Sequence, residues 1–159
     1  AIEAFIAEFG DDFDVREGSI TEAASCDIVS TTTPVSEPIV EAVGERTHIN
    51  AMGADAPDKN EIVFDVVDDA TIVIDDYEQC THSGEINVPW SEGKLDDDDL
   101  HGELGDVVTG RVSRPEQEGV TLFDSTGLAI QDVAAAHVIY EHATDRDIGT
   151  AFPLVGTDT

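Results

Sequence analysis

The chain has 159 residues, of which 40% are hydrophobic, so it is long enough for one domain with a proper core. Its 36 aspartates and glutamates far outnumber its 7 lysines and arginines, and the formal net charge is −29 at pH 7. This charge argues against nucleic acid and anionic membranes as partners. An acid-coated surface is typical of a salt-rich cytoplasm, where salt screens the repulsion, and we therefore expect a halophilic protein.

The sequence indicates neither a membrane anchor nor a metal site. No apolar stretch has membrane-spanning length and the first residues show no signal-peptide pattern, so we expect a cytoplasmic protein. Cys26 and Cys80 are too few for a disulfide framework and form no CxxC pair, so both are predicted to be reduced, buried thiols. The five histidines show no spacing typical of metal ligands.

The first predicted element is a helix at residues 1–12, where apolar residues recur at helical spacing without a preceding cap residue. The chain is therefore expected to begin inside a helix. A short strand at residues 13–15 and a small helix capped by Ser19 are predicted next. The β-branched residues 28–29 then predict a strand that ends in four hydroxyl residues, 30–33.

Strands and helices are predicted to alternate from residue 47 onward. Further strands are predicted at residues 47–53, 71–76 and 120–125. Helices are predicted at residues 61–70, 96–110 and 126–143, and residues 77–93 are interpreted as a helix followed by a loop. Because the strands are apolar runs rather than strict alternations, the pattern favours a parallel sheet covered on both faces, the doubly wound α/β class.

Polar residues follow several of these strands at the point where each strand ends. They are residues 30–33, 53–59, 75–76 and 124–126. The carboxyl ends of parallel strands lie along one edge of a sheet, and open α/β proteins bind their ligands outside that edge. Taken singly, the serines and threonines are better explained as helix caps and turn residues, so they do not define a site by themselves.

The segment GADAPDK, residues 53–59, is the strongest candidate at this edge. Gly53 permits a close backbone approach and Pro57 stiffens the loop. Asp55 and Lys59 are near enough in sequence for the lysine to orient the carboxylate or to donate to a bound carbonyl group. An exposed ion pair is the simpler interpretation. Lysine is so rare in this chain, with only two residues, that a functional pair is favoured.

Three segments, HINAMGADAPDKNE, DDYEQCTHSGEINV and FDSTGLAIQDVA, together with DIVSTTTP, resemble the ornithine cyclodeaminase/mu-crystallin family, and within it the archaeal alanine dehydrogenase branch. The resemblance covers nearly the whole chain but only about the C-terminal half of a family member. It implies a Rossmann-type dinucleotide domain at residues 1–147 that lacks its first βαβ unit. Residues 148–159 would belong to a separate dimerisation and substrate domain, and the complete protein would be a homodimer.

The resemblance also implies roles for individual residues. Asp55 matches the catalytic aspartate of the family, and Lys59 matches the lysine near the nicotinamide carboxamide. Ser125 matches a residue at the nicotinamide end of the cofactor. Thr31 and Thr32 match residues under its adenosine half. The implied cofactor is NAD, with NADP as the alternative, and no metal is implied.

Two further positions of the resemblance concern the loop around these residues. Asp58 stands where the family usually has glycine, and aspartate tolerates left-handed backbone better than most residues. Glu85 matches the GEI segment of the family, where we expect an ion pair that orders the loop. Cys80 has no basic neighbour in the sequence and is not expected to be a nucleophile.

The activity that the resemblance implies is the NAD-dependent conversion of alanine to pyruvate and ammonia, with Asp55 as the proton acceptor for the amine or for a water molecule. An ornithine cyclodeaminase, which forms proline and ammonia, is the alternative enzyme, because both share the motifs quoted above. A ligand-binding protein resembling mu-crystallin is the alternative of another class. Each would bind a small amino acid or 2-oxo acid, and the chain alone is expected to be inactive.

Overall fold

A computed structural model describes residues 2–116, 118–150 and 152 of the chain. The chain forms two compact units, Ala1–Thr126 and Gly127–Thr159. The division into a dinucleotide domain, 1–147, and a tail, 148–159, remains a prediction, since most of the tail lies outside the described residues. All the residues proposed above for a site belong to the first unit.

The first unit is built on a sheet of five parallel strands in the order β1-β2-β5-β3-β4. The strands are β1 (Ile28–Thr31), β2 (His48–Ala51), β3 (Thr71–Ile74), β4 (Leu100–Glu103) and β5 (Thr121–Asp124). The register aligns the strand ends, because Ala51 pairs with both Thr31 and Asp124, and Asp124 also pairs with Ile74. The predicted parallel α/β class is confirmed, and four strands reach the carboxyl edge together.

Helices connect the strands and precede them. They are α1 (Ile2–Phe9), α2 (Ile20–Ala24), α3 (Phe64–Asp68), α4 (Tyr77–Ser83), α5 (Asn87–Ser91), α6 (Leu104–Thr109) and, in the second unit, α7 (Ala129–Asp145). Ser19 caps α2 through reciprocal hydrogen bonds with Glu22, as predicted. Over the described ranges, no helix combines the length and the apolar character that crossing a bilayer requires.

The hydrophobic core lies against one face of the sheet. Alternate residues of β2 and β5 are buried, among them Ile49 and Leu122, while all of Ile72–Ile74 in β3 is buried. Side chains of α3, α4 and α5 join the same cluster. Each large aliphatic side chain in it contributes roughly 1.5–3 kcal/mol by burial, so the strand ends that carry the site have a rigid base.

The strand predicted at residues 13–15 is wrong. These residues follow α1 as a bend and an irregular segment, and the side chain of Phe13 is 65% exposed. In the described part of the chain they pair with no strand, and an isolated strand leaves its backbone hydrogen-bonding groups without partners in the protein.

The single helix predicted at residues 96–110 is also wrong, because the structure divides it. A 3₁₀ turn, Asp97–Asp99, is capped by Asp96 and leads into β4, and α6 begins only at Leu104. Gly102 has a φ of +148°, which no residue of an α-helix adopts. The helical spacing of Leu104, Val107 and Val108 is confirmed by α6, but it does not extend back to Leu100, which lies in β4.

Two smaller differences complete the comparison with the sequence. Residues 87–91, where a loop was predicted, form α5, and the helix predicted at residues 61–70 is confined to α3. Cys80 is buried, as predicted, whereas Cys26 is exposed, so its predicted burial is wrong. Cys26 lies in the bend that follows α2, where the chain turns toward β1 at the surface.

Candidate functional site

The loops that follow β1, β2, β3 and β5 leave the sheet side by side at its carboxyl edge. Backbone hydrogen bonds continue past the strands, from Met52 N to Thr31 O at 2.9 Å and from Ser125 N to Ala51 O at 3.0 Å. Asp75 N donates to Asp124 O at 3.0 Å. The polar residues that the sequence placed at the strand ends therefore start from neighbouring backbone positions.

Asp55 and Lys59 are brought together in the loop after β2. Lys59 Nζ lies 2.6 Å from Asp55 Oδ1, with the lysine side chain 27% exposed and the aspartate side chain 66% exposed. The hydrogen bond from Lys59, and then its positive charge, lower the pKa of Asp55. The arrangement is an ionised, solvent-accessible carboxylate held by an ammonium group, and it can accept a proton from a ligand.

The backbone of this loop turns sharply just before Lys59. Asp58 has a φ of +65°, in the left-handed region, at the position where the resemblance led us to expect glycine. Lys59 N donates to Ala56 O at 3.3 Å and closes the turn. The expectation that Asp58 supports left-handed backbone is confirmed.

The side chain of Asn87, the first residue of α5, holds this turn from the core side. Its Oδ1 accepts a hydrogen bond from Asp58 N at 2.9 Å, and its Nδ2 donates to Lys59 O at 2.6 Å. Nδ2 also donates to Gly84 O at 2.6 Å, and the residue is only 5% exposed. Sequence reasoning missed Asn87, although it directly follows the GEI segment that the resemblance had singled out.

A buried carboxylate, Glu85, holds the far end of the same loop. Its oxygens accept hydrogen bonds from Glu61 N at 2.8 and 3.0 Å and from Ile62 N at 2.7 Å. The expected ion pair at Glu85 is therefore wrong, since backbone amides take the place of a cation. Burial raises the pKa of Glu85 to about 8, against the opposing effect of these amide donors.

Asp124, at the end of β5, in turn holds the segment that carries Glu85. Its two carboxylate oxygens accept from Glu85 N at 2.9 Å and from Ile86 N at 3.1 Å. The residue is fully buried, and this burial raises its pKa to about 7. Gly84 makes the approach possible, because a Cβ at that position would lie 2.5 Å from Asp124 Oδ2.

A third buried carboxylate, Glu61, ties the loop after β2 to the end of β1. Glu61 Oε1 accepts from both the backbone N and the hydroxyl of Thr33, each at 2.6 Å. The predicted close approach at Gly53 is confirmed, since a Cβ there would lie 2.6 Å from Thr33 O and from Glu61 Cδ. Buried carboxylates thus connect the loops after three strands of the sheet.

The residues assigned to the cofactor by resemblance lie at the ends of β1 and β5. Thr31 is buried, and among the described residues its hydroxyl has no hydrogen-bond partner, whereas Thr32 is exposed. Ser125 is 2% exposed and its Oγ donates to Asp75 Oδ2 at 2.7 Å. Their roles toward a cofactor, like the catalytic roles of Asp55 and Lys59, remain predictions.

Two other reactive side chains, one at each end of the strands, have structural partners. Cys80 Sγ donates to Asp75 Oδ1 at 3.1 Å, and burial raises the pKa of its thiol, which therefore stays protonated. His48 Nδ1 lies 2.7 Å from Thr121 Oγ1, at the opposite end of the strands. In residues 2–116 and 118–150, no cluster of three or more His, Cys, Asp or Glu side chains is arranged to hold a metal ion.

An open parallel sheet whose polar loops are anchored at the carboxyl edge defines an α/β protein that binds ligands outside that edge. The chain belongs to the ornithine cyclodeaminase/mu-crystallin family, whose model matches residues 1–147. This confirms the resemblance seen in the sequence. The chain is 49% identical over 132 residues to an alanine dehydrogenase from Archaeoglobus fulgidus. The aligned region covers 81% of this chain and 41% of that protein.

Solved structures show the same relationship. One is an archaeal alanine dehydrogenase dimer with bound NAD, with a TM-score of 0.86 and 43% identity. The match covers 96% of this chain and 49% of the dehydrogenase chain. The Delta(1)-pyrroline-2-carboxylate reductase of Thermococcus litoralis, in complex with NADH and L-proline, matches 94% of this chain and 49% of its own, with a TM-score of 0.82 and 30% identity. The chain therefore spans about half the length of these proteins.

Proposed function

We propose that this chain is part of the cofactor domain of an NAD-dependent amino-acid dehydrogenase that converts alanine to pyruvate and ammonia. The observation that carries the proposal is the ionised Asp55, held by Lys59 at 2.6 Å at the ligand-binding edge of the sheet. The 49% identity to an alanine dehydrogenase favours alanine as the substrate. The complete enzyme would be a cytoplasmic homodimer, in line with the dimeric archaeal relative.

In this proposal Asp55 accepts the proton that leaves the substrate amine or the attacking water. Its lowered pKa keeps the carboxylate ionised at neutral pH, which is the form that can accept a proton, and also makes it a weaker base than a free aspartate. Lys59 fixes the direction of the carboxylate, and its ammonium group carries further donors for a carbonyl oxygen of a ligand. When bound, NAD would supply the hydride acceptor for the α-carbon of the substrate.

The residues of this chain would contact the nicotinamide and adenosine portions of NAD and leave the phosphates to the rest of the protein. Lys59, Ser125, Thr31 and Thr32 would hold the cofactor, and the Thr31 hydroxyl, which lacks a partner within the described residues, is a donor that a neighbouring group can satisfy. No two glycines in the sequence are separated by a single residue, so a GxGxxG phosphate loop is not part of this chain. The proposal places that loop upstream, as the resemblance implied.

A cyclodeaminase acting on ornithine is the second candidate. The family's name and the relative solved with NADH and L-proline both favour cyclic amino-acid chemistry at a site of this kind. The same Asp55 and Lys59 would serve either enzyme, because both reactions need a proton acceptor beside the substrate nitrogen. A binding protein without turnover is less well supported, since it has no need of an oriented, ionised carboxylate.

The test is a steady-state assay of the complete protein with NAD and either alanine or ornithine. We expect turnover of alanine, and Asp55→Asn should lower it at least about a hundredfold while folding is retained. Glu92→Gln is the matched control, because Glu92 also pairs with a lysine at 2.7 Å on an exposed surface. Turnover of ornithine alone would select the cyclodeaminase. An Asp55→Asn protein with full activity would overturn the role of Asp55.

A further inference from the structure

The loop that carries Asp55 and Lys59 needs support from outside itself. Between the end of β2 and Glu61 it contains neither a helix nor a strand, and its own backbone contributes a single turn bond at 3.3 Å. The exposed ion pair contributes little to holding the loop in place. The left-handed backbone of Asp58 is a conformation that persists only when its surroundings enforce it.

The surroundings that enforce it are one short segment, Gly84–Asn87, which we call the clamp. Asn87 binds the loop backbone on either side of the Asp58–Lys59 peptide bond, accepting from Asp58 N at 2.9 Å and donating to Lys59 O at 2.6 Å. Two residues earlier, Glu85 grips the amides that end the loop at 2.7–3.0 Å. The C-terminal part of the loop, residues 58–62, is thus held at two neighbouring points by the same segment.

The amide of Asn87 is chemically suited to this position. It offers one acceptor and two donors, and all three are used, toward Asp58 N, Lys59 O and Gly84 O. Aspartate would place acceptors against two carbonyl oxygens. An aliphatic side chain would remove the bonds to Asp58 N and Lys59 O, while Gly84 O would keep its bond from Asn87 N at 3.1 Å. At 5% exposure, water has little access to replace the lost bonds.

The clamp is itself fixed to the sheet. Asp124 binds the amides of Glu85 and Ile86, and Gly84 lies directly against the Asp124 carboxylate. A continuous path of hydrogen bonds therefore runs from the central strand β5, through the clamp, to the backbone of Lys59. We therefore expect a displacement within this path to shift the Lys59 main chain and, with it, the ammonium group beside Asp55.

We propose that the clamp sets the geometry of the Asp55–Lys59 pair, with Asn87 as its positioning residue. For the catalytic consequence this rests on the function proposed above, whereas the structural consequence for the loop does not. Asn87 acts on the reaction through Lys59, so its loss should lower kcat and leave the KM for alanine within about threefold. A displacement of about 1 Å is enough for a loss of about a hundredfold in rate.

The experiment compares Asn87→Ala with Asn60→Ala in the complete protein. Asn60 is the matched control, because it lies in the same loop and its side-chain amide makes only a 3.4 Å contact with Ile62 O. Amide hydrogen exchange of the peptide covering residues 53–62 should accelerate at least about tenfold in Asn87→Ala. It should change little in Asn60→Ala, and kcat should fall 10- to 100-fold in Asn87→Ala alone.

A third variant separates positioning from general destabilisation. Ile72→Val removes one buried methyl group from β3, and it should lower the unfolding midpoint without changing kcat at a temperature well below that midpoint. Equal losses of kcat in Ile72→Val and Asn87→Ala, or unchanged exchange in Asn87→Ala, would overturn the proposal. If Asn87→Ala does not fold, Asn87→Gln keeps the amide, moves it by one methylene and carries the same expectations. If the wild-type protein turns over neither amino acid, the proposed function fails and the exchange result alone decides the clamp.

Discussion

The two ends of the sheet are built in different ways. At the carboxyl edge, loops after three strands are joined by buried carboxylates that bind backbone amides. Near the starts of β2 and β5, a cavity of about 1100 Å³ opens beside α6. It is lined by apolar side chains such as Val107, Val108 and Phe123 and by the charged side chains Asp27, Arg46, Arg114 and Glu116. None of the candidate residues Asp55, Lys59, Thr31, Thr32 and Ser125 lines this cavity. Fixed geometry, rather than volume, therefore marks the candidate site.

The first prediction separates buried from exposed carboxylates by their response to salt. The net charge of −29 comes mainly from surface acids, so the unfolding midpoint should rise steeply between low and molar salt. Asp124→Asn should show the same rise, because Asp124 is buried and salt screens it little. The measurement is the thermal unfolding midpoint of the wild-type protein and of Asp124→Asn across a series of salt concentrations. A flat response of the wild-type protein would remove the halophile interpretation.

The second prediction concerns pH and the same buried groups. The folded-state pKa values of Glu85 and Asp124, about 8 and about 7, lie above their ordinary values of 4.5 and 3.8. The folded state therefore keeps protons that the unfolded chain releases. The stability contributed by these groups is fully present below about pH 4 and is lost as the pH rises toward 8, at up to about 1.4 kcal/mol per pH unit and group.

Urea unfolding between pH 5 and pH 8 measures this effect. The wild-type protein should lose more stability over that range than Asp124→Asn or Glu85→Gln, since each variant removes one titrating carboxyl group. The variants are expected to be less stable at pH 5, because an amide cannot accept from both backbone donors. Parallel pH profiles for all three proteins would contradict the assigned shifts.

The third prediction compares a glycine packed against the Asp124 carboxylate with a glycine in an open position. A Cβ at Gly84 would lie 2.5 and 2.7 Å from the Asp124 carboxylate oxygens, so Gly84→Ala should destabilise the fold by about 1–3 kcal/mol. Gly105 lies inside α6, and a Cβ there would meet no atom within 4 Å. Gly105→Ala should therefore stabilise the protein by up to about 1 kcal/mol. Equal effects in a urea titration would mean that the carboxyl edge is not tightly packed.

Much of the site could be predicted because the positions of its residues follow from the strand order and from short separations along the chain. Parallel strands place their carboxyl ends at one edge, and the four-residue separation of Asp55 and Lys59 allows their contact. The left-handed backbone at Asp58 was expected from the resemblance, because aspartate stands there in place of the family's glycine and tolerates this conformation. The segments that resembled a known family identified it correctly, because long motifs in a fixed order are specific.

The rest of the site depends on contacts between residues far apart in the chain. Asn87 reaches Asp58 across 29 positions, and Asp124 reaches Glu85 across 39, so no local pattern reveals either bond. β4 was missed for a related reason, because the sequence LHGE has low strand propensity and its pairing with β3 fixes it as a strand. No sequence pattern shows that a carboxylate is buried against backbone amides. For this reason an ion pair was expected at Glu85, where the structure has amide donors.

The central claim is that Lys59 organises a working carboxylate, and the chain supplies its own comparison. Lys94 is the other lysine, and it pairs with Glu92 at 2.7 Å on an exposed surface. The direct measurement is NADH affinity and alanine turnover of Lys59→Ala and Lys94→Ala in the complete protein. Lys59→Ala should weaken NADH binding and slow turnover, each at least about tenfold, and Lys94→Ala should change neither by more than about twofold. Indistinguishable effects of the two substitutions would show that Lys59 only stabilises its loop and has no role in cofactor binding or turnover.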